Sequence, residues 1–406
     1  MNRRELLSLA AAVGAGTLLP GCGSTVPSPA PGSSTPSPVA PHAIQPGLPG
    51  FGGQLFGALA PDHTNVLFSP LSIAMVLSMV REGAVGATAT ELDTLLGGAA
   101  PGFGDDLATT TRAMQSARGT LAVANSLWGQ DGLGWKQPFL SRLEETYRAP
   151  LHQADFTNNA EAARQEINHW VARQTMGKIP ALIDPGLIDA MTRVVLVNAL
   201  HFKAPWDEPM AELGRRPFST ATGHKVMIPT LSGGGMWPWW ESTDCSATAI
   251  PCDGGDFALV VALPNDPTSS GSVDPATYGK VLQAPPVPVT LQMPAWKFRL
   301  TVMLTEVLQK LGLTLAFDAA RADFSGMTTQ ERLALGFVVH EAMIDVNAKG
   351  LEAAAATAGG MRVTGALANP KELVIGSPFT YALMHVATAT PLFLGCVGDP
   401  SVESAG

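Results

Sequence analysis

The sequence predicts an α+β fold, with several helices early in the folded part and long strands late. Three observations carry this expectation. Segments with the 3.6-residue apolar spacing of helices stand between β-branched or alternating runs suited to strands, and no internal repeat relates them. The longest apolar runs, such as "TRVVLVNALHFKAPW" and "LALGFVVHEAMIDVNAKG", have strand character and fall in the second half. Of the 406 residues, 46% are hydrophobic and only 15% are charged, enough apolar material for a substantial core and far from the profile of disorder. Length alone, at roughly 150 residues per domain, points to two or three domains.

The chain opens on "MNRRELLSLAAAVGAGTLLPGC", which reads as a targeting segment. Its apolar stretch, Leu6 to Leu19, is too short to span a bilayer core of about 30 Å as a lasting helix, so residues 1–22 are expected to be a cleaved signal. Adjacent Arg3 and Arg4 suggest export in the folded state. The ending Leu19-Pro20-Gly21-Cys22 resembles a bacterial lipobox, in which Cys22 would be acylated; Pro20 departs from the usual pattern. Residues 23–49 are rich in Pro and Ser and read as an extended tether behind the anchor. The expected location is extracytoplasmic, either lipid-anchored to the membrane or secreted. The folded part is expected over residues 50–406.

Along that part, "NVLF" is extended, the chain turns at Ser69-Pro70, and an apolar helix runs from Leu71 to about Arg81. "GTLAVANSLWGQ" alternates like a strand. "NAEAARQEINHWVARQTMGKI" places Ile167, Trp170 and Val171 on one helical stripe. "TRVVLVNALHFKAPW" suits a strand buried on both faces. "FALVVALPND" and "PVTLQMPAWKFRLTV" are further strands, and "LTEVLQKLGL" is a helix. "LALGFVVHEAMIDVNAKG" is a long strand ending at the alanine-rich "LEAAAATAGG", and "PFTYALMHVATATPLFLGCVGDP" closes the chain as two strands.

Charge and motifs exclude several functions. A net charge of −9 without any Lys/Arg run argues against nucleic acid as a partner. There is no GxSxG nucleophile elbow, and "HEAMI" lacks the second histidine of a zinc helix. No phosphate-cradling loop or metal-spaced Cys/His cluster is present, so neither catalysis nor a cofactor is expected. Cys245 and Cys252 are the nearest cysteine pair of the folded part. They lie on one extended segment, which would separate them by about 20 Å, so buried free thiols are expected here and at Cys396.

Several segments resemble one family, the serpins. "NVLFSPLSIAMVLSMVREGAVGATATEL" contains the FSPxSI motif, and "VVLVNALHFKAPW" is similar to xxNAxxFKGxW with Ala204 for the usual glycine. "HEAMIDVNAKGLEAAAATA" resembles the strand and hinge before the reactive loop, and "PFTYALMHVATATPLFLGCVGDP" the C-terminal PF…PLFxGxVxxP motif. The fragments stand in the family's order from about Phe51 to Ser401. The resemblance implies a single domain of three β-sheets with about eight or nine helices and an exposed reactive-centre loop, overruling the length argument. It also implies suicide inhibition of a serine protease, or sometimes a cysteine protease. The protease forms an acyl-enzyme at the loop, the cut loop enters the main sheet as a strand, and the enzyme is distorted before deacylation. Serpin loop insertion is one of the standard examples of strand addition and of released strain.

The resemblance assigns the hinge to Gly350, Leu351, Glu352, Ala353, Ala354, Ala355, Ala356 and Thr357. As a strand, one face would be Leu351, Ala353, Ala355, Thr357 and Gly359, which carries no charge and can be buried. Two positions depart from the family: Ala348 replaces the usual Glu, and Leu351 a small Thr or Ser, whose greater bulk could slow entry. Counting fourteen residues past Gly350 places the reactive bond at Thr364-Gly365, which suits elastase-like or subtilisin-like proteases. Arg362, suiting a trypsin-like enzyme, and Leu367, suiting a chymotrypsin-like one, are alternatives, because the segment is longer than usual. Ser69, Ser72, Asn198 and His340 match the family's shutter, where the main sheet parts, and Trp206 its breach, where insertion begins. The "WPWW" at Trp237 to Trp240 has no assigned chemistry; strand packing is the plain reading and an apolar partner site the other. A monomer is expected. The rival function is that of a non-inhibitory serpin, a binding or substrate protein, which the departures at Ala348 and Leu351 support.

Overall fold

Residues 47–60, 64–98, 102–266, 274–351 and 369–402 are described by the structure, a computed structural model. Helix α1 (Leu48–Leu59) precedes strand β1 (Val66–Phe68), and α2 (Pro70–Arg81), α3 (Gly86–Leu95) and α4 (Phe103–Ser116) follow. Next come β2 (Thr120–Gln130), α5 (Gln137–Arg142) running into a π-helical turn at Leu143–Tyr147, β3 (His152–Ala154) and α6 (Phe156–Gln174). Four long strands and a short one form the middle: β4 (Val194–Pro205), β5 (Ala211–Ser219), β6 (Lys225–Glu241), β7 (Cys245–Pro251) and β8 (Phe257–Pro264). Helix α7 (Pro275–Gln283), β9 (Pro286–Pro294), β10 (Trp296–Met303), α8 (Thr305–Lys310) and β11 (Val338–Asn347) lead to β12 (Gly350–Leu351). The chain closes with β13 (Lys371–Val374), β14 (Phe379–His385) and β15 (Thr390–Val397).

Local chemistry explains the helix that matters most. The Ser69 side chain caps α2 by accepting from the Ser72 amide at 3.2 Å, and Pro70 takes the first helical position, where no donor is needed. Eleven of its twelve residues are buried, as a helix apolar on all sides must be. Asp155 caps α6 in the same way, and Ile167 and Val171 of the expected stripe are buried, with Trp170 packed beside them.

One sheet has six strands in the order β10-β11-β12-β4-β2-β3. A second network runs β1-β15-β14-β8-β7-β6-β9-β13, with β5 also on β6. Strand β6 serves two lobes of it: Trp239 to Glu241 pair with β7, whereas Thr230 to Pro238 pair with β9. Counted by lobes there are three sheets. The fold is α+β with eight α-helices among the described residues. Strand β4 is buried on both faces, as its β-branched run predicts. On one face Leu196 and Leu200 join the main core with α2; on the other, Val195, Val197 and Ala199 lie in a second core beneath α6.

The structure departs from the expected elements at two points. "LALGFVV" becomes strand only at Val338, because the neighbouring ladder of β10 ends opposite Val339. "PVTLQMPAWKFRLTV" breaks at Ala295 into β9 and β10, which belong to different sheets; the Ala295 amide turns to the Pro229 carbonyl at 2.8 Å. Cys245, Cys252 and Cys396 are buried free thiols, and burial pushes Cys252 and Cys396 up to about 12. Trp237 to Trp240 all belong to β6, and Trp237, Trp239 and Trp240 pack against the core.

Candidate functional site

The six-stranded sheet contains two parallel pairings, a short one of β2 with β3 at its edge and a longer one of β4 with β11 in its middle. Strands β4 and β11 pair in parallel from Leu196↔Val338 to His201↔Met343, while their outer neighbours β2 and β10 run antiparallel to them. Within the ladder, Asn125, Asn198 and His340 are successive cross-strand partners on β2, β4 and β11. Such a row of polar side chains, facing the apolar body of α2, needs complete hydrogen bonding.

That bonding is provided by the N-terminus of α2. The Ser69 amide donates to His340 Nε2 at 3.1 Å, which fixes Nε2 as an acceptor and leaves the proton on Nδ1. Nδ1–H then donates to Asn198 Oδ1 in a short contact. Asn198 Nδ2 donates to Ser72 Oγ at 2.6 Å and to Asn125 Oδ1 at 2.8 Å, and Ser72 Oγ donates to Asn125 Oδ1 at 2.9 Å. Burial removes the imidazole from water and drops the His340 pKa to about 3, so it stays neutral through physiological pH. Ser69, Ser72, Asn198 and His340 therefore converge in one closed network. Asn125 is its unforeseen member. The signal was in "LAVANSL", where Asn125 interrupts the apolar face formed by Leu121, Val123 and Leu127.

At the far end of the seam the two strands part. Gly350 and Leu351 enter between them, antiparallel to both: Leu351 pairs with Val346 and Ala204, and Gly350 with Asn347 and Pro205. Gly350 has φ 150°, and a Cβ there would lie 2.3 Å from the Ala204 oxygen and 2.5 Å from Pro205 Cα, so no other residue fits. The Leu351 side chain, 1% exposed, fills the gap the strands leave. Trp206 spans the turn before this short strand: its Nε1 donates to the Asn347 carbonyl at 2.9 Å and its amide to the Lys349 carbonyl at 3.1 Å. The Ala348 carbonyl accepts from the Met210 amide at 2.8 Å. Gly350, Leu351 and Trp206 are thus brought together. Glu352, Ala353, Ala354, Ala355, Ala356, Thr357, Arg362, Thr364, Gly365, Leu367 and Cys22 lie outside the described residues.

On the α6 side of the seam sits a buried carboxylate that the sequence reading did not single out. Glu341, fully buried, accepts from Arg299 Nε at 2.5 Å and from Thr301 Oγ1 at 3.1 Å, both on β10. Burial raises its pKa against the pull of Arg299. Among the described residues, no three His, Cys, Asp or Glu side chains are grouped to hold a metal ion.

A sheet with a parallel seam, started open by its own following segment, is the architecture of serpins. The family model described as Serpin (serine protease inhibitor) matches residues 48–400, and the chain belongs to that family. It is 32% identical over 354 residues to leukocyte elastase inhibitor A of Mus musculus, covering 83% of this chain and 93% of that protein. It is 31% identical over 368 residues to serpin B6 of Pongo abelii, covering 86% and 97%. Among solved structures, uncleaved ovalbumin matches with a TM-score of 0.79 at 23% identity, covering 88% of this chain and 100% of that one. The thermophilic serpin tengpin in its native state matches at 0.78 and 24%, covering 89% and 97%.

Proposed function

We propose that the protein is a suicide inhibitor of a serine endopeptidase, trapping it by entry of the cut loop along the β4–β11 seam. The observation that carries this is the position of Gly350 and Leu351, already seated antiparallel to both strands. Continued in the same register, Ala353 falls opposite Phe202 and Ile344, and Ala355 opposite Leu200 and Ala342. Thr357 then falls between Asn198 and His340. Its hydroxyl can donate to Asn198 Oδ1 and accept from His340 Nδ1, restoring on each side the bond that entry breaks. The exchange replaces one parallel ladder by two antiparallel ones, which are slightly more stable per residue and twice as many. Small alanines on both faces let the strand pass beneath α6 without displacing bulky groups.

Leu351 departs from the family, but it is already buried, so its bulk no longer opposes the first step. The relationship to a leukocyte elastase inhibitor favours an elastase-like target, consistent with Thr364-Gly365 as the reactive bond. Arg362 and Leu367 are the alternatives for trypsin-like and chymotrypsin-like enzymes. The purified protein mixed with elastase, subtilisin, trypsin and chymotrypsin should give an SDS-resistant covalent complex with at least one, and mass spectrometry of the released fragment should identify the bond. Cleaved protein alone with every protease would favour the non-inhibitory reading, a binding or substrate protein on the same fold.

The domain plan and location belong to the same proposal: a signal over residues 1–22, a tether over 23–49, one serpin domain beyond, and an extracytoplasmic monomer tethered through Cys22. No described helix is long and apolar enough to cross a membrane. Cys22→Ser should move the protein from the membrane fraction to the soluble exported fraction; an unchanged distribution would contradict lipid attachment.

A further inference from the structure

Strand β3 runs straight into α6, with only the capping Asp155 between them. The strand is three residues long and lies at the edge of the six-stranded sheet, paired with β2, so its ladder alone holds it weakly. Its second attachment is aromatic. His152, half-buried, stacks on Trp128, its ladder partner on β2, with ring centroids 4.6 Å apart and planes at 23°. Trp170 of α6 closes the cluster edge-on, 5.2 Å from His152 and 6.1 Å from Trp128. One imidazole thus joins the edge strand, its neighbour and the helix that follows.

The imidazole is the titratable member of this cluster. Strands β2 and β3 carry no charged side chain, and from α6 the Glu166 carboxylate, one turn before Trp170, acts on the ring. Glu166 favours the charged imidazole, as does the face of Trp128. Desolvation between the two indoles opposes both and prevails, holding the His152 pKa below its ordinary value. The closed cluster therefore prefers the neutral ring. When β3 and α6 lift, the ring returns to water and takes up a proton more readily.

We propose that His152 is a proton-operated latch: neutral, it closes the β3–α6 segment onto the sheet, and protonated in mild acid it releases that segment. The segment then opens locally in a larger share of the molecules, without global unfolding. Beneath α6 the second core takes Val195, Val197 and Ala199 from β4 and Val339 from β11, so the helix covers the seam. A strand entering between β4 and β11 must raise the helix, and mild acid therefore speeds loop entry. This consequence rests on the inhibitory reading above; the latch itself does not.

Hydrogen exchange of the intact protein, read by mass spectrometry over residues 152–174 and corrected for the intrinsic pH dependence of exchange, tests the latch. Between about pH 7.5 and 5.5 protection of this segment should fall about five- to tenfold, since opening takes up one proton on a ring that titrates near about 6.5 when released. His152→Phe keeps the stacking and loses the proton site; its protection should match the parent at the higher pH and change little in acid. His152→Gln should lower protection at both pH values alike. Glu166→Gln removes the carboxylate that favours the charged ring inside the closed cluster, and should deepen the loss in acid. An equal fall in His152→Phe, or protection that rises in acid, would overturn the latch. A synthetic peptide with the sequence of residues 352–364 should enter the intact protein several-fold faster at the lower pH, and equally fast at both in His152→Phe. A parent rate without pH dependence would overturn the coupling to the seam. A peptide that never enters, beside an acid-dependent segment, would uphold the latch and refute loop entry instead.

Discussion

His340 and Asn198 face each other across the β4–β11 seam, and the hydrogen bond between their side chains joins the two strands that the proposed loop entry would separate. Because Ser69 holds His340 Nε2 as an acceptor, protonation of the ring would set two donors against each other.

The native state should therefore lose stability in acid. With the folded pKa near 3 and the unfolded value near 6.5, the unfolded chain binds the extra proton between them. The contribution of neutral His340 is complete above pH 6.5 and declines as pH falls toward 3, with a slope approaching about 1.4 kcal/mol per pH unit. His340→Gln should cost about 1–3 kcal/mol at pH 7 and flatten this decline. Thermal melts from pH 7 to 4 check both; equal slopes in the two proteins would contradict the assignment.

Gly350→Ala addresses the seated hinge. The added Cβ meets the Ala204 carbonyl and Pro205, and the residue is confined to a backbone region that side chains disfavour. A loss of about 1–3 kcal/mol is expected, with faster amide exchange at Leu351 as the short strand leaves the sheet. Unaltered exchange would mean that the pairing of β12 is not what orders the hinge.

Thr357→Arg tests the register. The guanidinium would have to enter between Asn198 and His340 in an interior without a counter-charge, so entry should stall there. The variant should keep the melting temperature of the intact protein yet be cleaved without forming complex. Full complex formation would show that the strand enters in another register or not so far.

Arg299→Leu should expose the cost of burying Glu341. The carboxylate loses its ion-pair partner, and about 2–4 kcal/mol should be lost at pH 7, somewhat below the range for fully buried pairs because Arg299 is 36% exposed. The raised pKa of Glu341 sets the sign: its neutral form is the one the fold favours, so the deficit should shrink as pH falls. A deficit that grows in acid would contradict this.

Motifs and periodicity made the fold readable because they report burial directly. Strand β4 showed in its β-branched, largely apolar run, and α2 in Ser69-Pro70 followed by apolar residues. Helix α4 was not foreseen, since "LATTTRAMQS" mixes β-branched and polar residues and becomes a helix through contacts of Leu107, Ala108 and Met114 with the core. The break at Ala295 was equally hidden, being set by which sheet each half joins. Of the site, Ser69, Ser72, Asn198 and His340 were legible by resemblance, whereas Asn125 and the Arg299–Glu341 pair needed cross-strand register, which no local pattern supplies.

The account turns on the intact molecule being able to gain stability by admitting its own loop. The direct measurement compares melting temperatures of the intact protein and of protein cleaved once within residues 352–368. Completing two ladders over several residues, at about 1 kcal/mol net per hydrogen bond, predicts a rise of roughly 10–20 °C. Cleaved protein that melts at or below the temperature of the intact form would contradict the central claim.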